Sequence, residues 1–262
     1  DDISRRAGFA KIYNNINKKD KQYALSTANA LWAQKDYQFL KDYFDVTEGY
    51  YGGKATNLDF IRDSEGSRVK INKWVESQTN DRIKDLIPKR LIDSTTRLVL
   101  TNAIYFKGTW ATQFEKKNTK EKDFRIDSGD VVKAQMMSLT GKEAKFNYTE
   151  TEQLQVLELP YKGEELSMII LLPKNGTLSS IEDSITSEKI NELKKSLRNN
   201  RVDVYLPKFK FETKYFMAQT LMEMGMPTAF SENADFSGMT GNRDLFISSV
   251  IHQAFVEVNE EG

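Results

Sequence analysis

The sequence predicts an α+β fold built on large sheets, and three observations carry that expectation. Strand and helix patterns follow one another irregularly, without the βα repeat that closes a barrel. Residues 98–106 form an uncharged run, apolar on both faces, as a central strand covered on both sides should be. Residues 155–161 and 166–173 read as a buried strand pair across the turn Lys162-Gly163-Glu164-Glu165.

The other elements follow in chain order. Residues 3–16 place Phe9, Ile12, Tyr13 and Ile16 at helical spacing. Arg5, Arg6, Lys11, Lys18, Lys19 and Lys21 make this region basic. A polyanion site is one reading; a solvated helix face is preferred, because there is no dense like-charge run. Residues 24–34 read as a strand, and 39–51 as an aromatic-rich helix ended by Gly52-Gly53. The next helix, over 69–83, puts Ile71, Trp74 and Val75 on one packing face. Asn175-Gly176 is a turn signal after the second paired strand, and Ile190, Leu193 and Leu197 line a short helix. Residues 202–211 alternate, and a Met-rich helix over 215–224 closes at Gly225. The run 246–258 is expected to be a buried strand entering Asn259-Glu260-Glu261-Gly262, where glycine frees the backbone to hinge. No linker, repeat or low-complexity segment interrupts residues 1–262, which are expected to belong to one domain, incomplete in this chain.

Composition excludes several function classes. Thirty-eight basic and 38 acidic residues cancel, so no global field draws the chain to nucleic acid or a membrane surface. The chain has no cysteine, which removes disulfides, thiolate catalysis and cysteine-held metals, and its single histidine removes multi-histidine zinc sites. His252 alternates onto the face of Val250, Ala254, Val256 and Val258, a poor place for a solvent-facing base. Neither a Gly-X-Ser-X-Gly elbow nor a phosphate loop is present, so no catalytic residues, cofactor or metal are expected and an enzyme is disfavoured. The triplets Asn147-Tyr148-Thr149 and Asn175-Gly176-Thr177 are as readily chance as glycosylation sites.

Five blocks then carry a resemblance. Thr95-Thr96-Arg97 through Lys107-Gly108-Thr109-Trp110 resembles the third strand of the main sheet of a serpin. Ile71-Asn72-Lys73-Trp74-Val75 with Lys84-Asp85-Leu86-Ile87 is similar to the helix crossing that sheet. Gln155-Val156-Leu157-Glu158-Leu159-Pro160-Tyr161, Leu206-Pro207-Lys208-Phe209 and Ala234-Asp235-Phe236-Ser237-Gly238-Met239 resemble further family blocks in the same order. The match runs from about residue 5 to the end.

The resemblance implies a serpin fold, with a large central mixed sheet, further sheets and surrounding helices. It implies a suicide inhibitor that traps a serine or cysteine protease as an acyl-enzyme, or alternatively a non-inhibitory carrier or chaperone of the same fold. Early helices, the reactive loop and the closing strands are expected to be missing, whether through proteolysis, a deliberate split or disorder, and to be needed as partners for folding. The matching positions assign Asn102 and His252 to the shutter, where direct hydrogen bonding is expected once the loop has inserted. They assign Trp110, Lys208 and Glu260 to the breach, and Glu260, Glu261 and Gly262 to the reactive-loop hinge. An extracellular, secreted setting is the accompanying expectation.

Overall fold

The computed structural model describes residues 2–19, 21–126, 128–142, 144–174, 178–182 and 184–262. Its first elements are α1 (Asp2–Ile16), β1 (Ala24–Gln34), α2 (Lys41–Tyr51), β2 (Gly53–Leu58), α3 (Ser64–Gln78) and β3 (Leu98–Lys107). There follow β4 (Lys120–Arg125), β5 (Val131–Leu139), β6 (Lys145–Glu150), β7 (Leu154–Pro160), β8 (Ser167–Pro173), α4 (Ser179–Glu182) and α5 (Ser187–Ser196). The chain ends with β9 (Arg198–Arg201), β10 (Val204–Pro207), β11 (Phe209–Phe216), α6 (Ala218–Glu223), α7 (Ser237–Thr240) and β12 (Ile251–Val258). Helices and several sheets are mixed without a barrel. The chain divides into two compact units.

The first unit contains α1 with Ala24–Phe106 and Phe211–Phe255. Its sheets are ordered β2-β1-β3 and β11-β12, with β2 parallel to β1 from Asn29 opposite Gly53 to Gln34 opposite Leu58. Trp32, Phe60, Ile71 and Ile87 centre its core. Trp32 meets Trp74 edge-on at 5.7 Å and donates its indole N–H to Thr101 Oγ1 at 2.9 Å. Burying that indole without a partner would cost about 1–3 kcal/mol. Gly52 at φ 64° ends α2 as the sequence predicts, its N–H reaching back to Thr47 O.

Several boundaries differ from the sequence expectation, each for a local reason. Helix α3 starts five residues early because Asp63 caps it, accepting the Gly66 N–H at 2.9 Å. It stops at Gln78, since Asn80 and Asp81 adopt left-handed φ values of 48° and 59°. The run 202–211 is divided between two strands at Lys208, whose N–H makes the last bond to β5, on Gln135 O at 2.8 Å. β10 therefore pairs with β5, and β11 with β12. The helix expected from residue 215 starts at Ala218, because β11 extends to Phe216. The expected strand over 246–258 begins only at Ile251; the Val250 carbonyl accepts from Met217, and the Ile247 N–H goes to Ala229.

The expectation that 98–106 is covered on both faces is corrected. Thr101 and Ala103 are buried, but Leu100, Asn102, Ile104 and Phe106 on the alternate face are exposed. An uncharged strand reports that it can be covered on both sides; coverage itself needs another layer to supply atoms.

The second unit contains Lys21–Tyr23, Lys107–Lys210 and Val256–Gly262, with sheets ordered β10-β5-β4 and β8-β7-β6-β9. β7 and β8 pair antiparallel from Leu154 opposite Pro173 to Pro160 opposite Ser167. Gly163 at φ 92° and Glu164 at φ 56° make the turn beyond them. The core gathers Trp110, Phe114, Met137, Phe146, Leu159 and Val258. A second cluster joins Val156 to Leu193 of α5, while Ile190 on the same helix stays exposed. The Asn175-Gly176 turn and its triplet lie outside the described residues. Asn147 is exposed on β6 and donates its amide to Glu158 at 2.8 Å. Among the described residues no helix is long and apolar enough to cross a membrane, and no carboxylate–histidine group could hold a metal ion.

Candidate functional site: the hinge after the last strand

Three short segments meet around the residues that follow β12. Trp110 leaves β3 through Gly108-Thr109 and bridges Tyr161 at the end of β7. The two rings stack at 4.6 Å with 10° between their planes. Burial of both is nearly complete, 2% exposure for Trp110 and 7% for Tyr161, and it pushes the Tyr161 hydroxyl pKa up. Lys162 donates its N–H to Thr109 O at 2.7 Å, and Ala111 donates to Pro160 O at 2.9 Å. The platform is therefore cross-linked through backbone before the hinge arrives.

The hinge is hydrogen-bonded onto this platform. Trp110 N–H donates to Glu261 O at 2.8 Å and Phe114 N–H to Glu260 O at 3.1 Å. The Trp110 indole donates to Asn259 O at 3.0 Å. Asn259 closes a local turn, its Oδ1 accepting the Glu261 N–H at 2.9 Å and its own N–H donating to Gly262 O at 3.0 Å. Gly262 lies so close to the chain that a Cβ there would stand 1.8 Å from the Gly108 carbonyl oxygen. Only glycine can pass at that distance without moving backbone.

Glu260 is the electrostatic centre. Its side chain is 5% exposed, yet its carboxylate accepts from Lys208 Nζ at 2.9 Å and from Thr119 Oγ1 at 2.9 Å. Burial pushes its pKa up, but the Lys208 ammonium, its own backbone N–H and Thr119 outweigh that and hold it below the usual 4.5. A carboxyl with a depressed folded pKa stabilises fully above its unfolded value and loses that contribution as pH falls through the folded value. Acid titration of the complete protein should therefore loosen the hinge below about pH 4.5, and Glu260→Gln should remove that component of the acid limb. Amide exchange at Trp110 and Glu261 reads it directly. An acid profile at those amides unchanged by the substitution would exclude Glu260 as its source.

The structure thus brings together all five breach and hinge residues expected from the sequence: Trp110, Lys208, Glu260, Glu261 and Gly262. Thr119, Tyr161 and Asn259 complete the site and were missed. Asn259 carried a local turn signal and Tyr161 closed one of the family blocks; Thr119 sits far along the chain and had none.

The residues expected to form the shutter, Asn102 and His252, belong to the first unit. Asn102 donates to Asn29 Oδ1 at 2.8 Å and to Thr27 Oγ1 at 3.2 Å, both on β1. His252 is exposed, which corrects its expected place on an apolar face; the buried neighbour in β12 is Gln253. β12 does not alternate cleanly: Val258, on the same period-two face as His252, is buried in the core, so His252 is exposed at its own end of the strand and not because the face is reversed. β3 and β12 belong to separate sheets, each as an edge strand.

Comparison with known proteins agrees with this architecture. A family model described as serpin (serine protease inhibitor) matches residues 1–262. Human Serpin B3 is 46% identical over 259 residues, covering 97% of this chain and 66% of that protein. The leukocyte elastase inhibitor of the horse, Equus caballus, is 42% identical over 270 residues, covering 100% of this chain and 70% of its own length. The structure of ovalbumin from emu, Dromaius novaehollandiae, superposes with a TM-score of 0.92 at 36% identity, over 98% of this chain and 67% of that one. The chain spans about two thirds of the length of these relatives. Their names say nothing of secretion, and the extracellular expectation goes no further. A match across the whole chain, at these identities and with this fold, means that the chain belongs to the serpin family.

Proposed function

We propose that this chain is the sheet-bearing part of a non-enzymatic inhibitor that traps a serine or cysteine protease as an acyl-enzyme. The cleaved loop beyond Gly262 swings about the hinge and enters as a strand between β3 and β12. One observation carries the reading: the hinge is seated on Trp110 by backbone hydrogen bonds, while β3 and β12 are edge strands of separate sheets. An edge strand presents unpaired N–H and C=O groups that an incoming strand can pair. Each new hydrogen bond adds roughly 0.5–1.5 kcal/mol net. Apolar burial adds about 25 cal/mol per Å². Over a dozen or so residues such a gain can offset distortion of a bound protease, so the uninserted form persists by a kinetic barrier.

Asn102 and His252 act in this reading as shutter residues that the passing strand separates or joins. Lys208 and Glu260 act as the latch of the breach, with Trp110 as its floor. The name of one relative, the horse leukocyte elastase inhibitor, supports this reading.

Incubating the complete protein with a panel of serine and cysteine proteases tests the proposal. The expected result is a complex that survives denaturing electrophoresis, together with a raised melting temperature once the loop is cleaved. Clean cleavage with neither result would instead assign the protein to carrier or chaperone work.

A further inference from the structure

The first unit holds a pocket of about 460 Å³ where β1 runs out and α2 begins. That volume falls within the roughly 300–1,000 Å³ of small-molecule sites. Tyr37, Phe39, Leu40 and Phe44 supply an aromatic and apolar wall. Phe39 meets Tyr37 edge-on at 5.2 Å and lies tilted against Phe44 at 5.7 Å. The Leu40 N–H donates to Met239 O at 2.8 Å, which fixes this wall to the turn of α7.

The polar residues around the pocket are of two kinds. Gln34, Tyr37 and Thr240 are spent inside the protein. Gln34 Oε1 accepts the Phe60 N–H at 2.7 Å, the Tyr37 hydroxyl donates to Asp244 Oδ2 at 2.6 Å, and the Thr240 hydroxyl donates to Asp244 Oδ1 at 3.0 Å. The side chains of Asp36, Gln38 and Asn57, by contrast, make no hydrogen bond or ion pair among the described residues. Among the described residues lining the pocket, Asp36 is the one charged at neutral pH. The neighbouring cations are engaged elsewhere. Lys35 faces Asp59 at 4.0 Å and Lys41 is bound to Asp45. Arg97, 5.6 Å from the centre of the Tyr37 ring, donates to the carbonyls of Ser94 and Thr96.

Asp36 has φ 64°, a conformation in which aspartate is normally steadied by a bond from its carboxylate to nearby backbone. Here the carboxylate makes none. Its place in the turn therefore explains the residue type, but not a free acceptor beside two more. Acceptors on three side chains, one of them charged, next to aromatic faces suit an N–H-bearing cation on an alkyl stem. The N-terminus of α2, where Leu40 provides no side-chain cap, favours an anion, but Asp42 in the first turn offsets it. We propose that this pocket binds a primary alkylammonium group. Asp36 takes its charge, Gln38 and Asn57 its remaining N–H donors, and Phe39 and Phe44 its stem. The site depends on neither the hinge nor the inhibitory reading.

The test uses the complete protein and n-butylammonium, with n-butanol and butyrate as neutral and anionic controls. Butylammonium should shift the backbone amides of Tyr37, Phe39 and Asn57, and the controls at equal concentration should not. Asp36→Asn removes the charge yet keeps a residue that tolerates a left-handed backbone, and should weaken binding about tenfold. Phe39→Leu keeps apolar bulk without the ring and should weaken it about threefold. Nα-acetyl-lysine methylamide separates two sources of the same group, and either order of affinity is compatible with the site. Tighter binding than butylammonium points to a lysine side chain of a partner, weaker binding to a free amine. Butanol or butyrate binding as tightly as butylammonium would overturn the proposal. So would affinities within twofold of wild type in both variants, or no shift at these amides.

Discussion

Trp110→Ala should lower the stability of the complete protein by about 3–5 kcal/mol, the range for removing a fully buried aromatic side chain. Three losses combine. The side chain is 2% exposed and belongs to a core with Phe114, Met137 and Val258, so its removal leaves a cavity. Its stack on Tyr161, at 4.6 Å, disappears, worth about 0.5–1.5 kcal/mol beyond area. Asn259 O loses its indole donor just where the hinge turns. Trp110→Phe keeps an aromatic ring and should cost less, isolating the hydrogen bond and the second ring. Denaturant unfolding measures both variants, and amide exchange at Glu261 shows whether the hinge loosens with the core. A cost below about 1 kcal/mol would mean that Trp110 is not the floor of this site.

Lys208→Ala should cost about 1–3 kcal/mol, more than a surface ion pair would. The reason is asymmetry: Lys208 is partly exposed, but Glu260 is buried and would keep its charge with only Thr119 and backbone donors. Glu260→Ala should be comparable. The double variant should cost less than the sum, because removing both partners also removes the desolvation of the carboxylate. Since the pair joins the end of β10 to the hinge, both single variants should also speed spontaneous loop insertion or polymerisation of the complete protein. If neither changes those rates, the pair stabilises the fold without acting as a latch.

Much of this molecule was legible in its residues. β1 was read to the residue, the β7–β8 pair and its glycine turn nearly so, because burial period and turn chemistry are local properties. Gly52 announced the end of α2 for the same reason. The hinge could be placed because a β-branched strand running into Glu260-Glu261-Gly262 is a local pattern, and the family blocks named its partners. The short strands β4, β6 and β9 were not read, since charged or polar strands such as Lys120–Arg125 carry no apolar period. The exposed face of β3 was misjudged in kind: side chains state what they can bury, while another layer decides whether they do.

By itself, then, the sequence determined the mixed α+β class and the family blocks, and it pointed to Trp110, Lys208, Glu260, Glu261 and Gly262 as residues that the structure places together. Only the tertiary structure decided that Glu260 is buried rather than a surface charge, and that Thr119, 141 residues away, shares it with Lys208. It alone turned His252 outward and aligned Phe124, Val132 and Tyr205 on one outer face. Periodicity encodes which residues of one strand share a face. Strand register and chain reversal determine which distant groups that face meets, and the charge state of a buried carboxyl follows from those neighbours.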